Sequence, residues 1–119
     1  MYTVRVEAGF SAAHFLSRYE GKCERLHGHN YRVRVYAAGS DLDSSGMLLD
    51  FTKLKAALRE VCGGLDHRLL NEEPAFEDSP SAERISRFIF QALAERMPGA
   101  PLSAVEVFES DTSMARYEP

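Results

Sequence analysis

The repeat distance of apolar side chains changes twice along this chain, and those two changes restrict its fold more than any other feature. Tyr2, Val4 and Val6 alternate with Thr3, Arg5 and Glu7, and Tyr31, Val33 and Val35 alternate with Arg32, Arg34 and Tyr36. Residues two apart share one face of a strand, so each run reads as a strand with a single buried face, and the two should pair as a hairpin. From Asp50 the spacing turns helical. Phe51, Leu54, Leu58, Val61 and Leu65 recur at steps of three and four, with Asp50 as N-cap and Gly63-Gly64 as the expected stop. Ser79-Pro80 opens a second helix whose stripe is Ile85, Phe88, Ile89, Ala92 and Leu93, closed by Pro98-Gly99. Alternation returns from Ser103 to Ser110 and from Ser113 to Tyr117. The order strand, strand, helix, helix, strand, strand predicts an α+β fold, a four-stranded antiparallel sheet with both helices on one face. Such a small sheet has edges to cover, and association of subunits is one way to cover them.

At 119 residues and 45% hydrophobic composition, the chain reads as one domain, 1–119, able to bury roughly two thirds of its unfolded surface without a disulfide or a structural metal. A formal charge of -4 with scattered basic residues argues against a nucleic-acid partner. No apolar run approaches the about 18 residues that span a bilayer, and the first residues lack the apolar segment of a secretion signal, so no membrane partner and a cytoplasmic location are expected. A reducing compartment argues against pairing Cys23 with Cys62. Cys62 lies on an apolar helix face and reads as packing; Cys23 lies in the polar loop 16–26 and reads as reactive.

The chemistry concentrates at His27-Gly28-His29, four residues after Cys23, together with an isolated His14. On a strand, side chains two apart point the same way with α-carbons about 6.5–7 Å apart, so both imidazoles can converge on one ion. Three protein ligands leave zinc an open position for chemistry, whereas structural zinc sites usually have four. Cys23 is either a fourth ligand or a base beside an open site; four extended residues span about 13 Å, so it reaches the ion only if its loop folds back. Asp66-His67 offers a carboxylate and an imidazole suited to a proton relay, against the plainer reading of a surface histidine at a helix end. Glu109 follows Val107-Phe108 and is either a solvated strand end or a buried acceptor for a planar pair of N–H donors.

These residues resemble the 6-pyruvoyl-tetrahydropterin synthase family over almost the whole chain. The resemblance rests on Ala12-Ala13-His14, Cys23-Glu24-Arg25-Leu26-His27-Gly28-His29-Asn30-Tyr31, Gly46-Met47-Leu48-Leu49-Asp50-Phe51, Leu65-Asp66-His67, Pro80-Ser81-Ala82-Glu83 and Glu109-Ser110-Asp111-Thr112. It implies a T-fold subunit that joins its sheet with others into a barrel, commonly as a homohexamer. It also implies that His14, His27 and His29 hold zinc, that Cys23 is the general base, and that Asp66 and His67 return a proton from a neighbouring subunit. Glu109 would anchor the pterin ring and share in proton transfer. Ser81 and Ala82 would line the pterin pocket, where the family usually carries a threonine and a second hydroxyl residue.

Three residues between the cysteine and His-Gly-His match the carboxy-forming bacterial branch. The implied reaction is zinc-dependent conversion of 7,8-dihydroneopterin triphosphate to 6-carboxy-5,6,7,8-tetrahydropterin, acetaldehyde and triphosphate in queuosine biosynthesis. The alternatives are a pyruvoyl-forming synthase and a nonenzymatic zinc-binding subunit. Arg18, Lys22, Arg25 and Arg68 are the candidate cations for the triphosphate by proximity to the motifs.

Overall fold

The computed structural model describes residues 1–20 and 24–119. Its elements are β1 (Tyr2–His14), β2 (His27–Gly39), α1 (Phe51–Leu65), α2 (Ala82–Arg96), β3 (Leu102–Ser110) and β4 (Ser113–Tyr117), with two short 3-10 turns at Leu70–Glu72 and Pro74–Phe76 between the helices. The strands form one antiparallel sheet in the order β1-β2-β3-β4. Within this chain the sheet is open, with β1 and β4 at its edges.

Alternation decides which face is covered. Val6, Phe10 and Ala12 of β1, Tyr31, Val33 and Val35 of β2, and Val105 and Val107 of β3 join Leu54, Leu58, Val61, Leu65, Ile85, Ile89 and Leu93 of the helices in one buried cluster. Both helices therefore cover the same face, α1 over β1 and α2 over β3 and β4. Gly9 allows a close approach within the hairpin, since a Cβ there would lie 2.8 Å from the carbonyl oxygen of Tyr31.

Two helix boundaries differ from expectation. Helix α1 runs through Gly63 and Gly64 to Leu65. Each glycine costs a helix about 1 kcal/mol relative to alanine, but Leu65 is 1% exposed, and burying a leucine contributes about 1.5–3 kcal/mol. Packing overrides propensity there. Helix α2 begins at Ala82 with Ser81 as its cap, so Pro80 stands outside the helix; its carbonyl is left free for the site described below. Asp50 caps α1 as expected, its carboxylate accepting from the Thr52 N–H.

Cys62 is buried in the core, and burial pushes its thiol up to about 12, which keeps it protonated and inert. Among the described residues no helix is long and apolar enough to cross a membrane.

Candidate metal centre

Strand register assembles the three histidines. In the β1–β2 ladder His14 lies opposite His27, and Ala12 opposite His29. His14 continues the inward row of Phe10 and Ala12, and His27 and His29 continue that of Tyr31 and Val33, so all three rings leave the same face at the end of the hairpin where β1 connects to β2. One nitrogen from each falls within 4.8 Å of the others. The rings meet edge to face, with centroids 4.6 Å (His14–His27), 4.9 Å (His14–His29) and 4.8 Å (His27–His29) apart.

Backbone carbonyls fix two of the rings. His14 donates from Nδ1 to the Pro80 oxygen at 2.8 Å, and His27 from Nδ1 to the Arg25 oxygen at 2.8 Å. A carbonyl can only accept, so in each neutral ring the proton sits on Nδ1 and Nε2 carries a lone pair. Those two Nε2 atoms lie 3.0 Å apart, an arrangement that repels unless a proton or a cation stands between them. His29 Nε2 is buried without a partner. Burial, followed by the nearby His14 and His27, holds His29 below the ordinary imidazole value although Glu109 opposes the shift; the neutral form is the one that ligates. Outer hydrogen bonds that orient imidazole, and an orphaned nitrogen aimed at the same point, are what a three-histidine cation site requires. The described residues fit a metal ion.

His14 is 2% exposed, while His27 and His29 are half-buried, so the centre opens on the β2 side. Cys23 and Lys22 lie outside the described residues. Glu24 clips the base of the intervening loop: its N–H donates to the Leu16 oxygen at 2.9 Å and its carboxylate accepts from the Leu16 N–H at 3.2 Å.

Asp66 and His67 stand elsewhere. Asp66 follows the last turn of α1, accepts from the Ser11 N–H at 2.8 Å through Oδ1 and from His67 Nδ1 at 2.8 Å through Oδ2. The Ser11 amide, then His67, hold its carboxyl below the usual range. The His67 N–H returns a bond to the Ser11 oxygen, so the pair is sewn to the free edge of β1, with His67 in a left-handed conformation at φ 56°. Its side chain is 82% exposed. Among the described residues no hydrogen bond joins the dyad to the histidine cluster, but His67 and His29 line one open groove of about 510 Å³, together with Ser11, Ala13, Asn30 and Arg68.

Glu109 continues the inward row beyond Val105 and Val107 and is half-buried. It lies one residue past Phe108, where the β2–β3 ladder ends at Arg32↔Phe108 and the β3–β4 register shifts, and its charge bears on both His29 and Tyr31. Ser81 is spent as a helix cap, accepting the Arg84 N–H at 3.2 Å, and Ala82 is buried. Of the candidate cations, Arg68 is turned to the Gly64 oxygen and Glu73, while Arg18 lines a separate open cavity of about 620 Å³ with Arg84, Glu77 and Asp78.

The sequence reading missed Asn71. Its amide oxygen accepts from the Phe15 N–H at 3.0 Å and its nitrogen donates to the Phe15 oxygen at 2.8 Å, clamping the chain one residue after His14. A lone asparagine within the short 3-10 turn Leu70–Glu72 carries no signal of that task.

Comparison with known proteins agrees with this fold. The family described as 6-pyruvoyl tetrahydropterin synthase matches residues 3–119. A 6-carboxy-5,6,7,8-tetrahydropterin synthase from Synechocystis is 46% identical, covering 98% of this chain and 93% of its own. One from Bacillus subtilis is 38% identical over 92% of this chain and 80% of its own. The solved 6-pyruvoyl tetrahydropterin synthase of Caenorhabditis elegans superposes with a TM-score of 0.87 at 28% identity, covering 99% of this chain and 95% of that one.

Proposed function

The chain belongs to the 6-pyruvoyl tetrahydropterin synthase family, and from that premise we propose that it is a cytoplasmic, zinc-dependent lyase converting 7,8-dihydroneopterin triphosphate and one water to 6-carboxy-5,6,7,8-tetrahydropterin, acetaldehyde and triphosphate for queuosine biosynthesis. The observation that carries the reading is the histidine cluster, with two Nε2 atoms 3.0 Å apart and both Nδ1 atoms spent on carbonyls. The carboxy product is favoured because the relatives at 46% and 38% identity bear that name. The pyruvoyl product is the second reading, favoured by the name of the Caenorhabditis elegans structure.

His14, His27 and His29 would hold the zinc ion. Bound zinc supplies Lewis acidity to the side-chain hydroxyls of the substrate. Glu109 accepts from the amino and ring N–H donors of the pterin, as a carboxylate pairs with guanidinium, and Ser81 and Ala82 border that pocket. Cys23 removes a carbon-bound proton and His67, oriented by Asp66, returns one; a positioned acid or base of this kind typically contributes roughly 10²- to 10⁴-fold in rate.

An exposed dyad on the edge of β1 calls for a second chain. We infer that each one-domain subunit joins β1 to the β4 edge of a neighbour, closing a barrel whose hexamer brings one subunit's His67 to another's metal. The exposed apolar side chains of Tyr2, Leu42, Met47 and Phe51 support association of that kind.

The test is to incubate zinc-loaded protein and Cys23→Ala with the substrate and identify pterins by mass spectrometry. A 6-carboxy product with acetaldehyde, lost in the variant, is the expected result. A 6-pyruvoyl product would move the assignment to the second reading, and no turnover would leave a metal-binding subunit.

A further inference from the structure

Two backbone segments decide where the His14 ring points, and they meet at one side chain. The ring is carried by the end of β1, and its Nδ1 proton goes to the Pro80 carbonyl at 2.8 Å. Pro80 is the centre of a three-residue turn closed by the Ser81 N–H on the Ser79 oxygen at 2.9 Å, so its own carbonyl is left for His14. That turn follows Glu77 and Asp78, both left-handed at φ 50° and 59°. Two such residues in succession, neither of them glycine, persist only where their surroundings hold them.

Asn71 reaches both segments. A parallel bridge sets Ala13 beside Leu69, with the Ala13 N–H donating to the Arg68 oxygen at 3.0 Å, and the step of two residues that leads from Ala13 to Phe15 leads from Leu69 to Asn71. There the Asn71 amide oxygen accepts the Phe15 N–H at 3.0 Å, which belongs to the peptide group shared with His14, and its nitrogen donates to the Phe15 oxygen at 2.8 Å. The same nitrogen reaches the Asp78 carboxylate at 3.0 Å and the Asp78 carbonyl at 3.2 Å. Arg84 also grips the loop, through the Phe76 oxygen at 2.8 Å and Glu77 at 3.3 Å, but it does so from α2 and leaves β1 alone. We propose that Asn71 is a positioning residue for the metal centre: by joining the end of β1 to the Asp78–Pro80 loop, it keeps the His14 ring and the carbonyl that orients it together, with the proton on Nδ1 and Nε2 free for the ion. An amide suits the place because it offers one acceptor for the Phe15 N–H and two N–H donors for the three oxygens around it. This assignment rests on the metal reading of the histidine cluster.

The experiment uses the full chain, with zinc as the probe and a chelating dye as competitor. Asn71→Asp keeps the size of the side chain and the acceptor for the Phe15 N–H, but sets a carboxylate among three oxygens. Zinc affinity should fall roughly tenfold, the low end for loss of a group that orients a ligand. In the metal-free protein under mildly alkaline conditions, NMR of the imidazole nitrogens should find the His14 proton on Nδ1 in the parent and divided between Nδ1 and Nε2 in the variant, which a loss of stability alone does not produce. Asp78→Gly adopts the left-handed backbone freely and removes only the carboxylate end of the link, so it should fold and lose zinc affinity about threefold. Ile89→Val, a truncation in the buried layer of α2, should lower the melting temperature and leave zinc affinity unchanged. The assignment is overturned if Asn71→Asp binds zinc as tightly as the parent, if its His14 proton stays on Nδ1, or if Ile89→Val loses zinc affinity along with stability. If Asn71→Asp does not fold, parental zinc affinity in Asp78→Gly overturns it. A parent that binds no zinc removes the metal reading itself and this assignment with it, whereas a parent that binds zinc no better than Asn71→Asp removes only the role of Asn71.

Discussion

The two faces of the β1–β2 hairpin are built from adjacent residues and treat polar groups in opposite ways. On the outer face, charges are matched inside the chain: Arg34 pairs with Glu7 at 2.7 Å and Arg32 with Asp111 at 3.2 Å, both guanidinium groups lie over the Phe108 ring at 4.6 and 4.7 Å, and the buried Arg32 Nε, which makes no hydrogen bond, still rests 3.6 Å from the Glu7 carboxylate. Further along, Arg116 pairs with Glu106 at 3.0 Å and covers the Tyr36 ring. On the inner face His29 Nε2 and the Tyr31 hydroxyl are buried without partners, and two imidazole lone pairs confront each other. Solvated charges can be matched or left to water at little cost, but buried polar atoms stay unmatched only where something else completes them. The contrast teaches that an incomplete inner face marks a binding site, and that the crowded outer face, though far more charged, does not.

The largest effect that sharpens this contrast is on metal binding. His29→Ala removes a ligand outright, so zinc affinity should fall by more than the 10- to 100-fold that loss of an orienting partner typically costs. Competition with a chelating dye measures it, and retained affinity would break the assignment of the inner face. Next comes Asn71→Ala, which strands the N–H and C=O of Phe15 and should cost about 1–3 kcal/mol of stability. Urea denaturation of the metal-free protein gives that number, and a smaller loss of zinc affinity should accompany it because His14 is the adjacent residue.

Much of this was legible in advance, for reasons that differ by residue. Two-residue and helical periods exposed the element order because each element buries one face. His27 and His29 were legible because strand geometry alone makes them converge, and His14 joined them through a motif. What the pattern could not convey was long-range register: nothing local says that His14 faces His27, that Pro80 lends its carbonyl across 66 residues, or that Asn71 holds Phe15. Gly63-Gly64 misled because a glycine stop is a local preference, and the burial of Leu65 outweighs it. Asp66 and His67 are adjacent in the sequence and bond each other, but their attachment to Ser11 on the edge of β1 is a property of the whole sheet.

The two faces should also separate by pH. Burial holds His29 below the ordinary value of 6.5, so as pH falls the unfolded chain takes up that proton first. The metal-free protein therefore keeps this contribution above about pH 6.5 and loses it as pH drops from there through the folded value. Glu7 is held below 4.5 by the hydrogen bond from Arg34; its contribution is present above about pH 4.5 and is lost as pH falls through its folded value. Urea midpoints between pH 8 and 3 should show two declines, and His29→Ala should abolish the upper one and spare the lower. A single decline below 4.5 in the parent would mean that the inner face is already satisfied without a metal.

The smallest effect belongs to the outer face. Glu7 and Arg34 meet at 2.7 Å, but their side chains are 42% and 27% exposed, so water and salt screen the attraction. A double-mutant cycle with Glu7→Gln and Arg34→Gln should give a coupling of about 0.2–1 kcal/mol, shrinking as ionic strength rises toward 1 M, where the screening length is about 3 Å. Zinc affinity should not change in either variant, since both side chains leave the opposite side of the sheet from the histidines. A coupling well above that range, or one insensitive to salt, would mean that the outer face is shielded from water in the assembled protein. The barrel proposed above predicts partial shielding of that kind, so measuring the salt dependence at protein concentrations on either side of dissociation separates the face of a lone subunit from the lining of an assembly.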